Sequence, residues 1–241
     1  MAKKPNGYHR ILLKLSGEAL GGPDGTGIDS ATIKRAASEM SAVVSDGRKL
    51  AVVMGAGNFF RGITGVAEGM DRVVADQMGM VATVINAMAL KESLEEEGVK
   101  ALVLSAVGGA GVEVYTPQKG RKMLEKGKVV LCAGGTGNPF FTTDTAAVLR
   151  ALELECEIML KATMVDGVYD KDPKKSRDAK RFETITYGEV LARKLKVMDL
   201  TAVALAEANG LPIGVFNFRD AGMLARVAKG DLKHATLIVP A

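Results

Sequence analysis

Two lysines stand inside apolar runs that read as strands. "ILLKL", residues 11–15, carries Lys14 one residue from its carboxyl end and leads into Ser16-Gly17-Glu18. "EIMLKA", residues 157–162, repeats the design with Lys161, followed by Thr163 and "VDGVYDKDP". An ammonium in an apolar strand needs an anion or a route to water, because burying it unpaired is expensive. A third cation, Arg61, lies in "GAGNFFRG", residues 55–62, whose glycines expose amides and whose guanidinium fits phosphate or carboxylate. The fourth segment, "AGGTGNPFFTTDTAAVLR", residues 133–150, brings Gly134, Gly135, Gly137 and several hydroxyls up to the start of a helix, an anion-binding arrangement. Capping by Thr143 or Asp144 accounts for one residue of that run, not for all of it. Asp144 would repel a polyanion, so its presence implies Mg²⁺ or pairing with lysines. Phosphoryl transfer suits this set, since the protein then mainly positions donor and acceptor and neutralises developing charge.

Other chemistries find less support. Gly55 and Gly57, with Asp76 about 20 residues on, imitate a dinucleotide fingerprint, but the third glycine is misplaced and Asp76 falls within a helical pattern. No Walker loop and no G-x-S-x-G occurs. His9 and His234 sit at strand starts, away from these loops, and read as structural. Cys132 and Cys156 belong to no metal or redox spacing and read as buried reduced thiols.

The elements that must position these residues follow from the hydrophobic pattern. Apolar runs at 11–15, 50–54, 101–105, 129–133, 157–162, 212–216 and 236–240 predict strands covered on both faces. Helical patterns lie between them: Asp29 to Val44, Asp71 to Glu97, Pro117 to Lys126, Asp144 to Glu153, Tyr187 to Lys194, Asp199 to Ala208 and Gly222 to Lys229. In the longest, Val74, Met78, Val81, Ile85 and Met88 are spaced for one buried face. The alternation predicts an α/β fold with a mainly parallel sheet between helical layers and ligands at the strands' carboxyl ends. Residues 170–183 read as an exposed loop or small flap.

With 241 residues and 47% hydrophobic content, one domain is expected. The 32 basic and 28 acidic residues are interspersed, and 5% aromatics with no Trp give no footing to the usual nucleic-acid readers. No signal-peptide pattern is evident, and no run approaches the roughly 20 apolar residues of a membrane span. The expectation is a cytoplasmic protein that binds neither nucleic acid nor membrane.

"KLSGEAL", "GAGNFFRG", "MDRVVADQMGM", "GTGNPFFTTD", "LKATMVDGVYDKDP" and "VMDLTAVALA" together resemble the bacterial uridylate (UMP) kinases of the amino-acid-kinase superfamily, in order from about Lys14 to Phe216. The resemblance implies a three-layer, carbamate-kinase-like α/β/α fold, with a UMP-binding lobe over about residues 1–150 and an ATP-binding lobe over about 151–241. It also implies a homohexamer, Mg²⁺-ATP as donor and UMP as acceptor. On matching positions, Lys14, Leu15, Ser16, Gly17, Gly57 and Arg61 would meet ATP phosphates, with Thr163, Tyr169 and Asp172 on the adenosine side. Ala56, Asp76, Thr136, Gly137, Asn138, Pro139, Phe140, Phe141, Thr142 and Thr143 would hold UMP. Lys14, Arg61 and Lys161 would stabilise the transferring phosphoryl, with Asp144 organising the lysines or Mg²⁺. The loop of Gly22, Pro23, Asp24, Gly25, Thr26 and Gly27 resembles the segment through which GTP activates many members, and UTP is the expected inhibitor. Ala56 departs from the family's usual triple glycine and disfavours positive φ there. Two other readings stay open: a carboxylate or carbamate kinase of the same fold, and a non-catalytic nucleotide-binding module.

Overall fold

A computed structural model describes residues 7–60, 65–66, 69–109, 111–173 and 175–240. Among the described residues nine strands form one sheet: β1 (Arg10–Leu15), β2 (Lys49–Met54), β3 (Ala101–Ser105), β4 (Glu113–Val114), β5 (Val129–Ala133), β6 (Ile158–Thr163), β7 (Thr184–Thr186), β8 (Ile213–Asn217) and β9 (Ala235–Val239). Their order is β4-β3-β5-β2-β1-β6-β8-β9-β7. All seven strands expected from apolar runs are present. The pairings are parallel except β8 with β9.

The helices are α1 (Ser30–Ser45), α2 (Arg72–Glu96), α3 (Pro117–Glu125), α4 (Thr143–Glu153), α5 (Tyr187–Ala192), α6 (Leu200–Ala208) and α7 (Met223–Ala228). They cover both faces of the sheet, which explains the unbroken apolar strands. Alternate residues of β1 feed two separate cores: Ile11, Leu13 and Leu15 pack with α1, α2 and α7, whereas Leu12 packs with α4 and α6. Polar residues start the helices, as Asp29, Asp71, Thr116, Thr142, Thr186 and Asp199 each accept from a first-turn N–H.

Three expectations need correction. The stripe Val74, Met78, Val81, Ile85 and Met88 is not the buried face of α2; each of the five is 43–55% exposed. The helix is apolar on both sides, and its smaller face, including Ala75, Ala82, Val84, Ala87, Leu90 and Leu94, meets the core. For the same reason α2 does have the length and apolarity of a membrane span, with mean hydropathy 1.5 over an 18-residue window, of which 44% is buried in the fold. Finally, antiparallel β9 carries His234 to the loop-bearing end of the sheet. There it is exposed and lines none of the cavities described below.

Candidate functional site

Lys14 and Lys161 are register partners on adjacent parallel strands, so their side chains emerge together on the α4 side of the sheet. Both residues are only 9% exposed. Between them stands Asp144, in the first turn of α4. Its Oδ2 accepts from Lys161 Nζ at 2.5 Å, and its Oδ1 lies 3.0 Å from Lys14 Nζ as an ion pair outside hydrogen-bond alignment. Burial alone would raise the Asp144 carboxyl, but the Lys14 and Lys161 ammoniums outweigh it and hold the group below the ordinary carboxylate range. Burial pushes the Lys161 ammonium down from its ordinary value, aided by Lys14 and opposed by Asp144 and Asp199. Lys161 also donates to the Val197 carbonyl at 2.6 Å, so two of its three N–H groups are committed.

Three cavities run in series past this cluster, and Lys14 lines two of them. One of about 320 Å³ is lined by Lys14, Ser16, Gly17, Ala56, Gly57, Asp76, Thr136, Asn138, Phe141, Thr142 and Thr143. A second of about 870 Å³ shares Lys14, Thr142 and Thr143 with the first and adds Asp144 and residues 194–200. A third of about 460 Å³ shares residues 194–197 with the second and is lined by Thr163, Tyr169 and Asp172. The three thus form a connected series, with Lys14 and Asp144 lining the middle one.

The family model for the amino acid kinase family matches residues 9–217. The chain belongs to the amino acid kinase family. Solved structures similar to it include a UMP kinase from Bacillus anthracis, 35% identical, with TM-score 0.92 over 97% of this chain and 96% of that one. A UMP kinase from Ureaplasma parvum is 37% identical, with TM-score 0.90 over 95% of this chain and 98% of that one.

Within this amino acid kinase fold the glycine loops are set by close approach. A Cβ on Gly17 would lie 2.4 Å from Asn58 Oδ1 and 2.6 Å from the Gly57 nitrogen, so position 17 of the first loop admits no side chain. Positive φ among described non-glycine residues is confined to Phe140, Glu155 and Lys194; Ala56 keeps an ordinary φ, and the departure from a third glycine carries no backbone strain. Leu15 is fully buried, which leaves only its main chain to face a ligand. Arg61 lies outside the described residues.

The segment 134–142 is fixed by Asp76, which the sequence reading singled out, and by Thr83 and Arg150, which it did not. Thr83 of α2 accepts from the Gly134 N–H at 2.8 Å. Buried Arg150 donates to the Gly135 carbonyl at 3.0 Å while its guanidinium lies 4.0 Å from the Tyr115 ring centroid. Asp76 Oδ2 accepts from the Phe140 N–H at 2.7 Å and from Arg72 Nε at 2.8 Å, and these bonds hold Phe140 at φ 70°. Asn86, fully buried in α2, donates to the Gly55 carbonyl at 2.9 Å and exchanges amide bonds with Asn58. Asn58 in turn holds Gly27 through its side chain at 2.7 Å and its carbonyl at 2.8 Å. The loop of Gly22 to Gly27, folded around an Asp24–Thr26 turn, is therefore tied to the Gly55–Asn58 loop. Polar residues such as Thr83 and Asn86 within an apolar helix were the available signal, since each requires a partner when buried.

Proposed function

We propose that this amino acid kinase is a UMP kinase, transferring the γ-phosphoryl group of ATP to UMP to give UDP and ADP. The observation that carries this reading is the Lys14–Asp144–Lys161 cluster, whose Lys14 lines both the cavity of about 320 Å³ and that of about 870 Å³. Full-length similarity to two UMP kinases supports UMP as the acceptor. A UMP phosphate oxygen attacks the γ-phosphorus as the bond to the β,γ-bridging oxygen breaks. The acceptor is already an anionic nucleophile, so no general base is needed. Lys14 and Lys161 are assigned to the developing charge, and Asp144 keeps the two ammoniums together. Leu15 through its main chain, Ser16, Gly17, Gly57 and Arg61 are assigned to the donor phosphates, with Thr163, Tyr169 and Asp172 towards adenosine. Ala56, Asp76 and residues 136–143 are assigned to UMP.

No cluster of three or more His, Cys, Asp or Glu able to hold a metal occurs among the described residues. Asp144 has an ammonium at each oxygen. These residues fit Mg²⁺ carried on the nucleotide phosphates, where it would neutralise charge, and not an ion held in a protein cage. The exposed stripe of α2 repeats at intervals of four and three residues, the spacing of a helix–helix seam, which supports pairing of subunits within a homohexamer. Residues 22–27 are assigned to GTP activation, and UTP is assigned as the inhibitor.

The test is acceptor specificity in a coupled phosphoryl-transfer assay with UMP, CMP, aspartate and acetylglutamate. UMP is expected to be the preferred acceptor. Phosphorylation of a carboxylate substrate without UMP turnover, or tight ATP binding with no transfer at all, would overturn the reading.

A further inference from the structure

Asp199 caps α6 by accepting from the Ala202 N–H at 2.9 Å, and a cap needs no more than that. Its carboxylate nevertheless reaches a second helix. Oδ2 accepts from the Thr142 hydroxyl, and Oδ1 accepts from the Thr145 hydroxyl at 2.9 Å. Thr142 is the N-cap of α4, taking the N–H groups of Asp144 at 3.1 Å and Thr145 at 3.4 Å. Two residues before Asp199, the Val197 carbonyl accepts a hydrogen bond from Lys161 Nζ at 2.6 Å.

These contacts close a ring. From Lys161 it passes to Asp144, along the first turn of α4 to Thr142, across to Asp199, and back through the main chain to Val197 and Lys161. Every member of the ring outside Lys161 and Asp144 supports one of those two residues. We propose that Asp199 is a positioning residue for phosphoryl transfer: by clamping the start of α4 to residues 197–199, it sets the spacing of Asp144 and Lys161. The proposal rests on the kinase reading of that site and adds a part to it. Removing the clamp frees the α4 terminus to shift against β6, and misplacement of about 1 Å costs on the order of 10²-fold in rate.

The experiment compares wild type, Asp199→Ala, Asp199→Asn, Thr145→Val and the Asp199→Ala/Thr145→Val double variant in steady-state kinetics, with thermal unfolding alongside. Asp199→Ala is expected to lower kcat by about 10²-fold while KM for each nucleotide stays within about threefold. Asp199→Asn keeps one acceptor oxygen and is expected to recover about tenfold of that loss. In the double variant the losses should not add, since both changes break one connection. Asp199→Ala with kcat within twofold of wild type, a kcat loss that matches the lost folded fraction, a proportional rise in KM, or fully additive losses would each overturn the proposal. Wild-type turnover of UMP reports separately on the substrate reading, and the variant-to-wild-type ratio is read the same way with whichever acceptor the wild type uses.

Discussion

The segment of residues 134–142 and the loop of residues 164–183 contribute to the first and third cavities respectively, and they are fastened differently. The first is tied at Gly134, Gly135 and Phe140 to Thr83, Arg150 and Asp76, and Thr83 and Arg150 are 5% and 4% exposed. The loop is tied to β9 near both ends, where the Val168 N–H donates to Thr236, Thr236 donates to the Phe182 carbonyl and Arg181 donates to the Ala235 and Lys233 carbonyls, but its tip is held by surface pairs such as Lys171 with Asp178. Buried bonds lack competing water and fix one geometry, whereas exposed pairs contribute little and tolerate change. The side proposed for the acceptor is thus preorganised by the core, and the tip of the loop on the side proposed for the donor is adjustable.

The largest effect should come where the two sides share a group. Lys161→Ala removes a cation that touches Asp144 and Val197 at once, and kcat is expected to fall by roughly 10²- to 10³-fold with the fold retained, as for loss of one preorganised charge stabiliser. Steady-state kinetics with circular dichroism check this. Near-normal kcat would show that the lysine pair is a structural ion cluster, and the contrast between the two sides would lose its centre.

Next in size is a change confined to the acceptor side. Asp76→Ala deletes the acceptor of the Phe140 N–H and the partner of Arg72, leaving Phe140 without the bond that offsets its left-handed backbone. Bonds to a charged group contribute about 2 kcal/mol, so KM for UMP should rise about 30-fold while KM for ATP stays put. Equal rises in both constants would show that the two sides are not separately fastened.

The strands and the paired lysines were legible because a two-sided buried strand has few ways to read, and because Lys14 and Lys161 hold the same parity in equivalent runs. The orientation of β9 was not, since an apolar run carries no direction. The exposed face of α2 was also misread, because with Met80, Val84, Leu90 and Leu94 opposite Val81, Ile85 and Met88, periodicity shows two apolar faces without telling which one meets the sheet. The partners of Asn86 and Asp199 could not be named for another reason. They lie 28 and at least 54 residues away, and only the folded chain brings a polar side chain to the group that satisfies it.

The smallest effect is expected on the donor side, where the comparison is most exposed to failure. Tyr169 donates its hydroxyl proton to Asp166 at 2.6 Å, and Asp166 is also 3.3 Å from Arg181. That hydrogen bond places the hydroxyl's own donor away from the cavity, so the ring and the flap's shape are what a nucleotide would meet. Tyr169→Phe removes one hydrogen bond, contributing about 1 kcal/mol, and an adjustable flap should absorb part of it. KM for ATP should therefore rise no more than about fivefold, with kcat and KM for UMP unchanged. A rise as large as that of Asp76→Ala on UMP would mean that the flap is as firmly set as the acceptor segment, and that its surface pairs hold more than their exposure implies.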